Sequence, residues 1–316
     1  MEEMKKEEFR FASKDGKSNI YAVRYIPDTP EICAVVQIVH GMAEYVERYE
    51  GLAEFLTQRG ILVTGADLLG HGKTLGEGDI PGYICEENPA EVLVEDVHSL
   101  RTLTQELYPQ LPYVLLGHSM GSFIVRNYIC QYGEGLSGAV IMGTNVYDEG
   151  TVKWGLRLLN LQKALFGSKH VSKLLNWIVF GSNNKNIPHP RTEVDWLSKD
   201  EAVIDRYVAD PLCGFLFTVN GFDALFHLIY SMDDFSRMGV IPKELPILLL
   251  SGAKDPVGEF GKGVKKARRY LRVCGVKDVR YKLYPEGRHE ILQDAEKAEV
   301  SQDLYDWMKE SVLSQQ

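Results

Sequence analysis

The chain has 316 residues, of which 45% are hydrophobic and 25% charged, a globular composition that excludes a disordered or collagen-like chain. A formal net charge of -9 and a pI near 5.5 argue against nucleic acid as a main partner. The length suits one large domain or two smaller ones, with core enough to need no disulfide staples.

The opening MEEMKKEEFRF is charged and lacks the apolar run of a secretory signal. FRFAS and IYAVRYI then flank Asp15-Gly16, a hairpin turn signal. CAVVQIV (33–39) is a continuous β-branched run, as expected of a strand buried on both faces. YVERYEGLAEFLTQRG keeps helical spacing and stops at Gly60. ILVTGADL (61–68) reads as a strand, broken by Gly-His-Gly. Residues 88–109 open with Asn-Pro and stay helical to Pro109. YVLLG (113–117) is a strand, GSFIVRNYICQY (121–132) a helix, and GAVIMG (138–143) a strand. This alternation predicts an α/β fold with a mostly parallel central sheet flanked by helices.

From Asn145 to Arg237 the pattern is helical with loops and shows no clean strand. LPILLLSG (245–252) resumes the strands, GKGVKKARRYLRVCG is a basic amphipathic helix, VRYKLY (279–284) is the last strand, and the tail from Ile291 is helical. The simplest division is a core of residues 1–145 and 236–316 with a helical cap insertion, 146–235. No run approaches the 18 apolar residues of a membrane span. Five scattered cysteines with no C-x-x-C pair read as reduced thiols of a cytoplasmic chain.

In an open parallel sheet, ligands bind beyond the carboxyl ends of the strands. Four polar stretches fall there: His40-Gly41-Met42, Ser119, Lys254-Asp255-Pro256 and Gly287-Arg288-His289. Ser119 sits in Gly117-His118-Ser119-Met120-Gly121, a G-x-S-x-G pattern between a strand and a helix. It reads either as a nucleophile elbow or as a glycine-rich turn that holds a serine. A serine hydroxyl needs a base, and of the eight histidines only His289 follows a late strand. Asp255, just after a strand, would orient the His289 imidazole; Asp148 is the competing acid. The order Ser, Asp, His is that of an α/β-hydrolase triad. Acyl transfer also needs oxyanion donors, for which the backbone N–H groups of Met120 and Met42 are the candidates.

HGMAEYVERY (40–49), DLLGHGKT (67–74), GHSMG (117–121), SGAKDPVG (251–258) and GRHE (287–290) together resemble the α/β-hydrolase superfamily. More narrowly they are similar to its monoacylglycerol lipase and lysophospholipase group, placed with serine aminopeptidases. Tyr45 stands where that group usually has histidine. The resemblance implies that Glu44 and Arg48 brace the oxyanion loop; their spacing of four also permits an ion pair, buried or solvated. It assigns Asp67 and His71 to a structural motif.

The expected activity is hydrolysis of carboxylic esters of single-chain lipids through an acyl-enzyme, with no metal and no organic cofactor. A thioesterase, an aromatic-acid esterase or an aminopeptidase would use the same three residues. The last would need acids for a free amine, such as Glu193, Asp195 or Asp200. A non-catalytic ligand-binding protein of the same fold is the reading from another class. The Leu- and Trp-rich stretch 154–181 is either core packing or a lid over an acyl pocket, and Phe215, Phe217, Phe222 and Phe226 are candidate pocket lining. An acidic chain without an anchor would touch membranes transiently at most. Oligomeric state is not legible.

Overall fold

The computed structural model describes residues 4–29 and 31–315; residues 1–3, where the charged N-terminal stretch begins, and residue 316 lie outside the described residues. Eight strands form one sheet: β1 (Lys5–Ala12), β2 (Asn19–Ile26), β3 (Ala34–Val39), β4 (Ile61–Ala66), β5 (Tyr113–His118), β6 (Gly138–Met142), β7 (Ile247–Gly252) and β8 (Val279–Tyr284). Their order is β1-β2-β4-β3-β5-β6-β7-β8, with antiparallel pairing only for β1 with β2 and β2 with β4. Strands β3, β5, β6 and β7 are buried along their whole length, which is why they read as unbroken apolar runs rather than alternating ones. The edge strand β1 begins earlier than its apolar letters suggest. Ladder bonds to β2 extend it through Lys5–Glu8, charged residues suited to an exposed edge.

Helices α1 (Glu50–Thr57), α2 (Pro89–Leu107) and α3 (Met120–Tyr132) follow in the first half. The stretch expected as one helix from Tyr45 is a 3-10 turn, Val46–Tyr49, that leads into α1. Asp67 causes the break: its carboxylate accepts the Val46 amide at 2.8 Å and the Lys73 amide at 2.7 Å, tying two loops together. Between β6 and β7 lie α4 (Glu149–Phe166), α5 (Lys173–Phe180), α6 (Glu201–Ala209), α7 (Val219–Met232) and the short α8 (Phe235–Met238). Among the described residues this stretch has no strand, only an isolated bridge between Val171 and Thr218. After β7 come α9 (Lys262–Val273) and α10 (Lys297–Ser311). The tail therefore becomes helical six residues later than Ile291, because residues 290–294 turn on the Glu290 carbonyl, which accepts from the amides of Gln293 and Asp294.

The core lies on both faces of the sheet. One side packs α2, α3, α7 and α9 through Val97, Ile124, Phe222 and Leu271. The other packs α1 and α10 through Leu52, Leu56, Leu304 and Trp307. Helix α7 thus seats the segment between β6 and β7 on the same core as α2 and α3. Among the described residues, no helix is long and apolar enough to cross a membrane.

Candidate active site

Strand β5 ends at His118 and α3 begins at Met120, so Ser119 must turn the chain in one residue. It does so with φ 53° and ψ -120°, a conformation that costs an L-residue on the order of 1–3 kcal/mol. The turn fits only because its glycines are bare: a Cβ on Gly121 would lie 2.0 Å from the Val39 carbonyl oxygen of β3. The Ser119 amide is fixed to the Met142 carbonyl at 2.9 Å, and its carbonyl caps the start of α3 by accepting from Ser122. The serine itself stays half-buried.

Asp255 follows β7 and His289 follows β8. Their loops meet because Gly252 lacks a side chain; a Cβ there would lie 2.1 Å from the carbonyl oxygens of Gly287 and Arg288. His289 Nδ1 lies 3.0 Å from Asp255 Oδ2, and both side chains are buried. Burial alone would raise the Asp255 pKa. The His289 charge and hydrogen bond, with the Val257 amide at 2.8 Å on the other oxygen, outweigh it and hold Asp255 below the usual carboxylate value. Nδ1 faces the carboxylate, so Nε2 is the ring nitrogen left for a reacting group.

Ser119 and His289 line one cavity of about 770 Å³, with Met42, Trp177, Trp196 and Phe215 among its other walls. A larger groove of about 1230 Å³ beside the β1–β2 hairpin touches neither residue. Among the described residues, the amides of Met42 and Met120 have no protein acceptor, and Met42 lines the cavity.

Behind the cavity runs a buried chain of charges. Glu44 Oε1 accepts the Gly41 amide at 2.6 Å and the Tyr49 hydroxyl at 2.9 Å, and lies 3.3 Å from His118 Nδ1. Glu44 Oε2 accepts from Arg48 at 2.7 Å, and Arg48 also clasps both oxygens of Glu290 at 2.7 Å each. The Glu44–Arg48 pair is thus buried, with side chains 4% and 10% exposed, rather than solvated. Burial pushes the Glu44 pKa up, but the His118 hydrogen bond and the Arg48 charge bring it well below the usual range. His118 turns its second nitrogen to the His289 carbonyl at 3.1 Å. Burial disfavours its charge, yet Glu44 more than compensates and raises its pKa. With an acceptor facing each ring nitrogen, His118 ties the Gly41–Glu44 loop to the His289 loop.

The remaining sequence candidates scatter. Asp148 accepts the Thr151 amide as the cap of α4, away from the cavity. Asp200 caps α6, and Asp195 is held by Arg191 and Thr192; only Glu193 of the three lines the cavity. Of the four phenylalanines Phe215 alone lines it, whereas Phe217 and Phe222 are fully buried core residues. Tyr45 regains a polar role by donating to Asp210 at 2.8 Å. His71 is buried with one nitrogen on the Leu69 carbonyl, and burial pushes its pKa down to about 3.

Sequence reasoning missed Tyr207, Trp196 and Glu290. Ala43, at φ 54°, has its carbonyl held by the Tyr207 hydroxyl at 3.1 Å and the Gly214 amide at 3.0 Å. The amides of His289 and Glu290 bond the carbonyls of Trp196 and Leu197. The only available signal was the Glu290 of GRHE; nothing in the letters around Tyr207 or Trp196 marks them.

A profile described as Serine aminopeptidase, S33, matches residues 30–296. A monoacylglycerol lipase of Mycolicibacterium smegmatis is 29% identical over 304 residues, 95% of this chain and 96% of that protein. The monoglyceride lipase of Homo sapiens is 28% identical over 284 residues, 89% of this chain and 83% of that one. A thermostable carboxyl esterase from Bacillus coagulans, solved in complex with glycerol, superposes with a TM-score of 0.91 at 29% identity, covering 98% of this chain and all of its own.

Proposed function

From its place in the serine aminopeptidase S33 family, to which this chain belongs with an α/β-hydrolase fold, we propose that it hydrolyses carboxylic esters of single-chain lipids such as monoacylglycerols. The observation that carries the reading is the pairing of a strained, cavity-lining Ser119 with a cavity-lining His289 that Asp255 holds from behind.

Ser119 Oγ attacks the ester carbonyl carbon while His289 Nε2 takes its proton. Asp255 keeps the proton on Nδ1 and stabilises the imidazolium without accepting that proton. The carbonyl oxygen becomes an oxyanion and is received by the amides of Met42 and Met120. The C–O bond to the alcohol then breaks, His289 protonates the leaving oxygen, and the acyl group remains on Ser119. Water enters, gives a proton to His289 and attacks the acyl carbon, releasing the fatty acid and restoring the serine. Glu44 and Arg48 brace the loop that carries Met42. Residues 146–235 form the cap of the site, seated on the core through α7, and the apolar wall of Trp177, Trp196 and Phe215 receives the acyl chain. The five scattered cysteines, with no C-x-x-C pair, fit a cytoplasmic location.

The test is a series of p-nitrophenyl esters from short to long acyl chains, with Ser119→Ala as the control and monoacylglycerol as the natural-type substrate. Preference for medium or long chains, lost in the variant, is expected; full activity in Ser119→Ala would refute the mechanism. Glu193 on the cavity wall keeps an aminopeptidase reading in view, since its carboxylate could hold a free amine. Faster turnover of aminoacyl anilides than of esters would favour that reading.

A further inference from the structure

Helix α9 carries six of the chain's 35 lysines and arginines and none of its 44 acids, so the rest of the molecule is more acidic than the net charge of -9 suggests. Gly263, Val264, Ala267 and Leu271 face the core, and Lys262, Lys265, Lys266, Arg269 and Arg272 stand exposed on the opposite side. Their spacing of three, four and seven puts these cations on one face. Among the described residues none of the five has a carboxylate partner, because the acids around the helix are taken. Glu244 pairs with Lys277, Asp278 with Arg280 and Asp233 with Arg126. Val273, 67% exposed, continues the stripe at its end, and Phe235, 47% exposed, flanks it against Tyr270.

The opposite character occurs at the groove of about 1230 Å³ beside the β1–β2 hairpin. It is lined by Asp79, Glu87, Glu91 and Glu95, none of which pairs with a cation among the described residues, and by half-buried Ile80 and Tyr83. Of the groove's cations, Arg10 is bonded to the carbonyls of Asn19 and Lys73, Lys17 is paired with Glu86, and Lys169 lies over the Tyr83 ring. The free acids are therefore in excess.

We propose that these two surfaces are the halves of one interface and that the protein pairs with a second copy of itself, α9 of each copy lying in the hairpin groove of the other. Helix α2, which carries Glu91 and Glu95, and helix α9 pack on the same face of the sheet, α2 over β4 and α9 over β7 and β8. A two-fold axis between them makes the contact twice and closes the assembly at two. The doubling matters for size. A helix of twelve residues, about 18 Å long and about 10 Å across, buries on the order of 350 Å² of each partner, so one contact totals about 700 Å². That is the size of a crystal-packing contact, whereas two contacts reach about 1,400 Å², within the range of specific dimers. Repulsion between two acidic molecules is spread over their surfaces and screened beyond about 10 Å at 0.1 M salt, while the charges of α9 and the groove meet at contact. A long polyanion fits less well: it would have to pass the acidic remainder, and it would leave Val273 and Phe235 unmatched. Neither surface lines the cavity that holds Ser119 and His289.

The test is sedimentation velocity at low and raised salt, on the parent, on Lys265→Glu/Arg269→Glu and on Glu87→Lys/Glu91→Lys. The parent should be a dimer at low salt, and raised salt should dissociate it. An exposed ion pair contributes up to about fivefold, and each double variant reverses four charges across the two contacts, so Kd should rise by up to roughly six-hundredfold. Each variant should therefore sediment as a monomer while melting like the parent. Mixed in equal amounts, the two variants should form a dimer again, because the reversed helix of one meets the reversed groove of the other and the second contact is native. A parent that is monomeric at low salt, even one that retains a polyglutamate peptide, would overturn the proposal. So would a dimer that either variant leaves intact, or variants that associate no better mixed than apart. None of these readouts uses turnover, so they stand apart from the ester-hydrolysis reading.

Discussion

Arg48→Met probes the buried charge chain most directly, because methionine keeps the length of the stem and removes only the guanidinium. Glu44 would keep three donors: the Gly41 amide, the Tyr49 hydroxyl and His118. Glu290 would keep none, since both its oxygens bond Arg48, and its side chain is 5% exposed. Removing one partner of such a buried pair costs roughly 3–5 kcal/mol. At about 2.1 cal/mol/K per residue of unfolding entropy, a chain of 316 residues loses about 4–8 °C of Tm for that cost. The loss should fall mostly on Glu290, so Arg48→Met/Glu290→Met should recover about 2 kcal/mol of it in a double-mutant cycle. Calorimetry or denaturant melts of the single and double variants measure both quantities. A Tm shift under about 1.5 °C for Arg48→Met would show that the pair behaves as a solvated one and would refute the reasoning.

Three further predictions follow from the geometry. Tyr207→Phe removes one of the two donors on the Ala43 carbonyl, a bond of about 1 kcal/mol; if that bond positions the Met42 amide, kcat falls about fivefold with KM nearly unchanged, and a fall in Tm alone would make the role structural. Ser119→Gly relaxes the strained elbow and should raise Tm by about 1–2 °C while abolishing ester hydrolysis; a lower Tm would contradict the strain. His118 has a folded pKa raised by Glu44, so its contribution to stability is full below the unfolded value of about 6.5 and is lost as pH rises through the folded value. His118→Gln should therefore destabilise more at pH 6 than at pH 9, as read from melts at both.

Much of the architecture was legible because its signals are local. The buried parallel strands announce themselves as apolar runs, and the helices between them as 3.6-residue periods bounded by Pro89 or Gly60. Ser119, Asp255 and His289 could be named because each falls directly after a strand, and a parallel sheet brings all its carboxyl ends to one side. Their order along the chain was therefore already a statement about position.

What the letters could not carry is everything that depends on a partner far away in the chain. Glu44 and Glu290 share Arg48 across 242 residues, and Tyr207 reaches Ala43 across 164, so no periodicity or spacing marks either contact. The same limit applies to the stretch from Trp154 to Gly181. Its leucines and tryptophans have the spacing of a core helix, and an apolar stripe looks alike whether a protein interior or something else covers it. Only the packed chain decides that α7 takes the place on α2 and α3 and leaves α4 with two buried residues. Burial is a property of the whole fold, set by which surfaces win the competition for the core, whereas strand and turn formation are set by a residue and its immediate neighbours.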